Sequence, residues 1–173
     1  MPSAQRHLIR PIEPADLDAI VALNNAYPAE LGLVDAASLR GFLAAAAAAN
    51  AIGPASDPDA FLVAFDQGTP PQGPNHAWFL ARRERFFYVD RICVHPRAQR
   101  RGLARELYLD AFRIAAERGL PSVCCEVSID PPNPTSDAFH ASLGFVEVGR
   151  AHLPERGKWV HYLERIESDS LPK

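Results

Sequence analysis

The stretch Val94-His95-Pro96-Arg97-Ala98-Gln99-Arg100-Arg101-Gly102-Leu103-Ala104 carries the clearest chemistry in the chain. An apolar run ends at a proline, a short basic turn follows, and an amphipathic pattern opens on Gly102 and Ala104. A helix N-terminus exposes unpaired backbone N–H groups and the positive end of its dipole, which suits a phosphate. Gly102 removes the Cβ that would hold a phosphate oxygen away, and Ala104 keeps the next turn slim. With Arg100 and Arg101 alongside, the spacing reads as a cradle for a diphosphate. A P-loop would need Lys and Ser/Thr after its glycine loop, where Leu103 and Ala104 stand. A dinucleotide turn would need three spaced glycines, and one is present.

A second chemical signal is Glu126, set inside the apolar run from Ser122 to Ile129. An unpaired carboxylate is costly there, so Glu126 is either a site residue or one half of a buried pair. Cys93, Cys124 and Cys125 form an odd set with two sequence neighbours, which reads as reduced, packed thiols rather than a disulfide framework. The histidines show no metal-ligand spacing, and no metal site is expected.

Around these residues the elements fall into an alternating pattern. A strand at Leu8–Arg10 precedes a helix opened by Pro14 and stopped by Pro28. A second helix, capped by Asp35 or Ser38, is predicted through Leu39, Phe42 and Leu43 and on through the six alanines 44–49. Phe61–Phe65 is a strand. The segment Gln67–Asn75 is a loop expected to help wall a pocket, and His76–Leu80 a short strand. Phe86–Val94 is a long central strand. A helix from about Gly102 to Arg118 buries Leu103, Leu107, Ala111 and Ile114 and stops at Gly119. Ser122–Ile129 is a buried strand, Ser136–Leu143 a short helix, and Phe145–Val148 and Trp159–Leu163 complete a sheet through a turn at Pro154 and Gly157.

Bulk properties narrow the classes further. The 173 residues are most simply one domain, 1–173, with 47% apolar and 23% charged residues. A net charge of -3 argues against a general nucleic-acid binder, although arginines crowd the middle of the chain. Met1–Arg6 lacks the apolar core of a signal peptide, and the alanine-rich run Phe42–Ile52 is too short to cross a bilayer, so a cytoplasmic, non-membrane protein is expected.

Taken in order, these residues resemble the GNAT superfamily of acyl-CoA-dependent N-acyltransferases. The family's pyrophosphate motif, Gln/Arg-x-x-Gly-x-Gly/Ala after a strand and proline, is matched by Gln99, Gly102 and Ala104. Its downstream motif is matched by Asn133, Ser136, Phe139, Gly144 and Phe145, with His140 where the family usually has Tyr. The segments Phe86–Ile92, Glu126-Val127 and Pro131–Pro134 resemble a bacterial subgroup known as predicted acetyltransferases. The resemblance runs from about Leu8 to Leu163. It implies an α/β domain with a mixed, mostly antiparallel sheet of six to seven strands flanked by helices.

It further implies N-acetyl transfer from acetyl-CoA to an amine by direct attack in a ternary complex. A compact chain with no obvious peptide-docking module points to a small-molecule acceptor, with a protein N-terminus or lysine as the alternative. The central strand at Ile92, Cys93 and Val94 would splay from the strand at Val123–Ile129 to admit the pantetheine arm. Main-chain groups and charge from Gln99, Arg100, Arg101, Gly102, Leu103, Ala104 and Arg105 would hold the diphosphate, and Asn133, Ser136, Phe139 and His140 the other side of the coenzyme. Glu126, and less so Asp90, would take the amine's proton; Asp90 reads first as the ion-pair partner of Arg91 or another arginine. His140 would give the thiolate its proton or merely pack beside Phe139. Tyr88, on the same strand face as Asp90 and Ile92, is a better substitute phenol than Tyr108. Family members often pair as homodimers, and nothing marks an interface. A non-catalytic acyl-CoA-binding or sensing domain is the alternative, and a hydroxyl acceptor a third reading.

Overall fold

The computed structural model describes residues 6–167, so Met1–Gln5, most of the segment judged against a signal peptide, lies outside the described residues. In chain order the elements are β1 (Ile9–Pro11), α1 (Leu17–Asn25), α2 (Pro28–Leu31), α3 (Ala36–Ala45), β2 (Ala48–Ile52) and β3 (Ala60–Asp66). They continue with α4 (Pro74–Leu80), β4 (Phe87–Val94), α5 (Leu103–Glu117), β5 (Ser122–Asp130), α6 (Pro134–Ser142), β6 (Val146–Leu153) and β7 (Lys158–Ile166). The strands form a seven-stranded sheet in the order β1-β2-β3-β4-β5-β7-β6. It is mostly antiparallel, and β4 pairs with β5 in parallel. This is the mixed α/β fold expected above.

The chain divides into two compact units. The first, up to Ala64 with Arg91–Ala111, builds its core from residues such as Ile20, Leu39, Phe61, Val63, Leu103 and Leu107, all nearly or fully enclosed. Its β2 corrects the expected alanine helix. The helix ends at Ala45, Ala46 turns to extended backbone, and Ala48–Ile52 pairs with both β1 and β3. Alanine's helical preference amounts to tenths of a kcal/mol per residue over ordinary residues. Two hydrogen-bonded ladders and the burial of Ala51 and Ile52 outweigh it. As expected, α1 ends before Pro28, at Asn25, and Pro28 itself then occupies the first turn of the separate four-residue α2.

The second unit, Phe65–Asp90 with Phe112 onward, packs Phe65, Phe79, Phe86, Phe87, Val123 and Tyr162. Here His76–Leu80 is helix α4 rather than a strand. Gly73, at φ +96°, breaks the chain and Pro74 supplies the fixed φ of a first helical turn. Burial of Asn75, His76 and Phe79 at helical spacing completes the explanation. Gln67, from the preceding loop, lines a cavity of about 430 Å³ with residues 80–84. The last two strands are longer than expected and meet in a bulged antiparallel hairpin, with Gly157 in the left-handed region at its turn.

Within this unit the sheet register sets the site. The parallel ladder pairs Phe87 with Val123 and Tyr88 with Cys124, at the starts of strands eight and nine residues long. On the other edge of β5, Glu126 lies opposite Tyr162. Alternation therefore puts Tyr88, Asp90, Cys124, Glu126, Tyr162 and Glu164 on one sheet face. Among the described residues no helix is long and apolar enough to cross a membrane.

Candidate active site

On that face the Tyr88 hydroxyl donates to Oε2 of Glu126 at 2.5 Å. Tyr88 has no exposed surface and is held from α4, stacked on His76 (centroids 5.6 Å apart, planes 17° apart) and tilted against Phe79. Glu126 is half-buried. Burial, joined by the negative charge of Asp90, lifts its carboxyl to about 7 against the opposing pull of the Tyr88 hydrogen bond and the cations Lys158 and Arg156. Burial and the neighbouring carboxylates push the Tyr88 phenol far above its usual range, so it keeps its proton and points it at Glu126. A carboxyl poised near neutrality suits a general base, because it is ionised at working pH yet basic enough to receive a proton.

Tyr162, across from Glu126, donates to Oδ1 of Asn75 at 2.9 Å and stacks on Trp78 at 4.1 Å. The Arg82 guanidinium covers the other face of the indole, 4.2 Å from its centre. Gly149 makes this stack feasible: a Cβ there would fall 2.4 Å from Trp78 Cζ2. Tyr162, Asn75 and His76 were not picked out as site residues from sequence. Strand register and the helical state of residues 74–80 bring them there, and neither is written in local spacing. Among the aromatics of this unit, Phe79, Phe86 and Phe87 are fully enclosed core residues, and Trp78 is half-buried.

His140 lies on α6, buried and packed edge-on between Phe139 and Phe145. Its Nδ1 is 2.7 Å from the Ser136 carbonyl oxygen, an acceptor only, so Nδ1 carries the proton and neutral Nε2 holds the lone pair. Burial lowers the imidazole's pKa. Burial, the larger influence, works against an imidazolium donor, while the Ser136 carbonyl and the Asp137 charge favour the charged ring. Asn133 uses Oδ1 to cap α6 through the Ser136 N–H, at 3.2 Å. Cys124 is buried, 3.9 Å from Oε1 of Glu164, which Arg83 grips with two nitrogens.

The candidate cradle belongs to the first unit. The chain enters α5 through Arg100 at φ +62° and Gly102 at φ +80°. The first intrahelical bond, Glu106 N–H to Gly102 carbonyl, leaves the N–H groups of Leu103, Ala104 and Arg105 ahead of it. A Cβ on Gly102 would meet no heavy atom within 4 Å, so its α-carbon faces open space. Arg100 and Arg105 are exposed and, among the described residues, form no ion pair. Arg101 is instead tied to Asp59 and His7, and Gln99 to the Tyr27 hydroxyl. Amides left outside the helix ladder, a bare α-carbon and two exposed guanidiniums fit a diphosphate. Ile92 and Val94 are half-buried, while Cys93 is buried, its thiol pushed up to about 12 by burial, which makes it packing rather than a nucleophile. Among the described residues no group of three or more His, Cys, Asp or Glu side chains could hold a metal ion.

Comparison with known proteins agrees with this architecture. The model described as "Acetyltransferase (GNAT) family" matches residues 21–145. The chain is similar in structure to Ard1 from Thermoplasma volcanium, with TM-score 0.73 and 17% identity over 92% of this chain and 96% of that one. It is also similar to Arabidopsis thaliana NAA60 in complex with acetyl-CoA (TM-score 0.72, 13% identity, 93% and 98% covered). A third likeness is to the ribosomal-protein-alanine N-acetyltransferase of Brucella melitensis (TM-score 0.69, 22% identity, 92% and 99% covered). At such identities the structural likeness speaks to fold. No curated protein matches the sequence.

Proposed function

Because the chain belongs to the GNAT acetyltransferase family, we propose that it transfers an acetyl group from acetyl-CoA to the amine of a small molecule, by direct attack in a ternary complex. The observation that carries this reading is the half-buried Glu126 carboxyl, lifted to about 7 and fixed by the Tyr88 hydroxyl at 2.5 Å. When bound, acetyl-CoA supplies a carbonyl already activated as a thioester. The protein's share is to position the amine and to take its proton.

An alkylamine has a pKa near ~10 and reaches the enzyme protonated. Glu126, ionised above about pH 7, takes that proton directly or through one water, while Tyr88 keeps the receiving oxygen oriented. Asp90 adds negative charge that strengthens Glu126 as a base. A thiol of pKa about 8.5 leaves readily as the thiolate, so no dedicated acid is required near neutral pH. That accords with a Tyr88 proton aimed at Glu126 and a His140 proton aimed at Ser136.

In this reading the N–H groups of Leu103, Ala104 and Arg105, the open side of Gly102 and the charges of Arg100 and Arg105 hold the diphosphate. Arg101 and Gln99 brace the turn that shapes it. The main chain of Ile92, Cys93 and Val94, and the α6 residues Asn133, Ser136, Phe139 and His140, complete the proposed coenzyme contacts. The proposal is of one cytoplasmic acyltransferase domain over 1–173 that needs no metal. Thiol release from acetyl-CoA across a panel of primary amines, with the acetylated product identified by mass, tests it. Release that rises with amine and is lost in Glu126→Gln is the expected result. Tight coenzyme binding without amine-dependent release would instead favour a sensing domain.

A further inference from the structure

We propose that His76 is a positioning residue of the transfer reaction, holding Tyr88 and, through its hydroxyl, the Glu126 carboxylate. This rests on the reading of Glu126 as the base. His76 is wholly buried in α4 and both its ring nitrogens are committed. The Gln72 N–H donates to Nδ1 at 3.1 Å, and Nε2 donates to the Asp66 carbonyl oxygen at 3.0 Å. One nitrogen must therefore be bare and the other protonated, which fixes a single neutral tautomer. Burial lowers the imidazole's pKa and keeps it in that form.

The ring so fixed lies nearly parallel to Tyr88, 5.6 Å away and 17° from coplanar, with Phe65 and Phe86 on its other sides. Tyr88 has no exposed surface, and its phenol is aimed along the 2.5 Å hydrogen bond. An imidazole carrying two main-chain hydrogen bonds is an expensive way to fill an apolar core. Its effect is to anchor the Gln67–Gly73 loop and the end of β3 to the ring that orients the base. A misplacement of about 1 Å at a reacting group costs on the order of 10²-fold in rate, so such a relay has leverage.

The test compares His76→Phe, Tyr88→Phe, the double variant and Glu126→Gln in steady-state acetyl transfer across pH. The Tyr88 hydrogen bond favours ionised Glu126, so losing it moves the acid limb of the rate profile to higher pH. Tyr88→Phe should show that upward movement with kcat down tenfold or more and the KM for acetyl-CoA unchanged. His76→Phe keeps a ring but neither hydrogen bond. It should move the limb in the same direction, with kcat several-fold lower, and the double variant should be no slower than Tyr88→Phe alone. His76→Gln, which keeps a donor for the Asp66 carbonyl, should recover part of the loss.

If His76→Phe leaves the limb in place, or its loss multiplies with that of Tyr88→Phe, His76 is only a packing residue and the inference is overturned. If Glu126→Gln turns over like wild type, the base assignment falls and takes this inference with it. Should His76→Phe fail to fold, the Tyr88 hydroxyl proton resonance decides. It should lie far downfield in wild type and move upfield in His76→Gln, and an unmoved signal refutes the relay.

Discussion

Replacing Glu126 by glutamine should make the protein more stable and less active at once, by amounts that follow from the site's electrostatics. The carboxyl ionises at about 7 in the fold and at its ordinary 4.5 when the chain is unfolded. A folded-state pKa raised in this way means that the native protein binds the extra proton between those values. Stability from this group is therefore fully present below about pH 4.5 and lost as pH rises toward 7, and by pH 8 ionisation costs folding about 3 kcal/mol. A glutamine carries no such cost and still offers an oxygen to the Tyr88 hydroxyl. The variant should match wild type near pH 4.5 and exceed it by about 2–3 kcal/mol at pH 8, or roughly 5–10 °C in Tm for a chain of this size. Over the same range acetyl transfer should fall by about 10²–10⁴, the usual contribution of a positioned base. Thermal melts of both proteins from pH 4.5 to 8, paired with initial rates of thiol release, measure both effects. A stability gap that does not change with pH, or a variant less stable than wild type at pH 8, would refute the reasoning about Glu126.

Gly102→Val adds a Cβ that meets no protein atom but sits at φ +80°, so stability should drop by about 1–2 kcal/mol from the backbone alone. The KM for acetyl-CoA should rise tenfold or more while that for acetyl-pantetheine, which lacks the diphosphate, stays constant, and equal changes in the two would remove the cradle assignment. Gly149→Ala places a methyl 2.4 Å from Trp78 Cζ2 and should cost about 1–3 kcal/mol in urea unfolding, a loss that Trp78→Leu relieves. For His140→Gln, turnover should keep the wild-type dependence on pH above 7, because burial lowers the imidazole's pKa and favours the neutral ring there. A wild-type rate that falls at alkaline pH, with that fall abolished in the variant, would make His140 the proton donor.

The start of α5 was readable because its chemistry is local: Gly102, Ala104 and the basic turn act within one helical turn, and the amphipathic spacing of Leu103, Leu107 and Ala111 marks the buried face. Alanines 44–49 misled because helix propensity is a property of the segment, whereas β2 exists through its partners on β1 and β3. The helix at Pro74 was signalled by Gly73-Pro74 but hidden by the apolar run after it. Strand parity correctly grouped Tyr88 with Asp90. What faces Tyr88 depends on a β4–β5 register that joins residues 38 apart, so the Tyr88–Glu126 hydrogen bond had no local signature. The same holds for Tyr162 opposite Glu126 and for His76, which in sequence is one histidine among six.

The most direct measurement of the central claim is the pH dependence of amine-stimulated thiol release from acetyl-CoA by the wild-type chain, read beside Glu126→Gln. The account predicts one N-acetylated product per thiol released, a rate that rises with pH through about 7, and loss of that rise in the variant. Release that ignores the amine, or a pH profile that Glu126→Gln leaves intact, would contradict it.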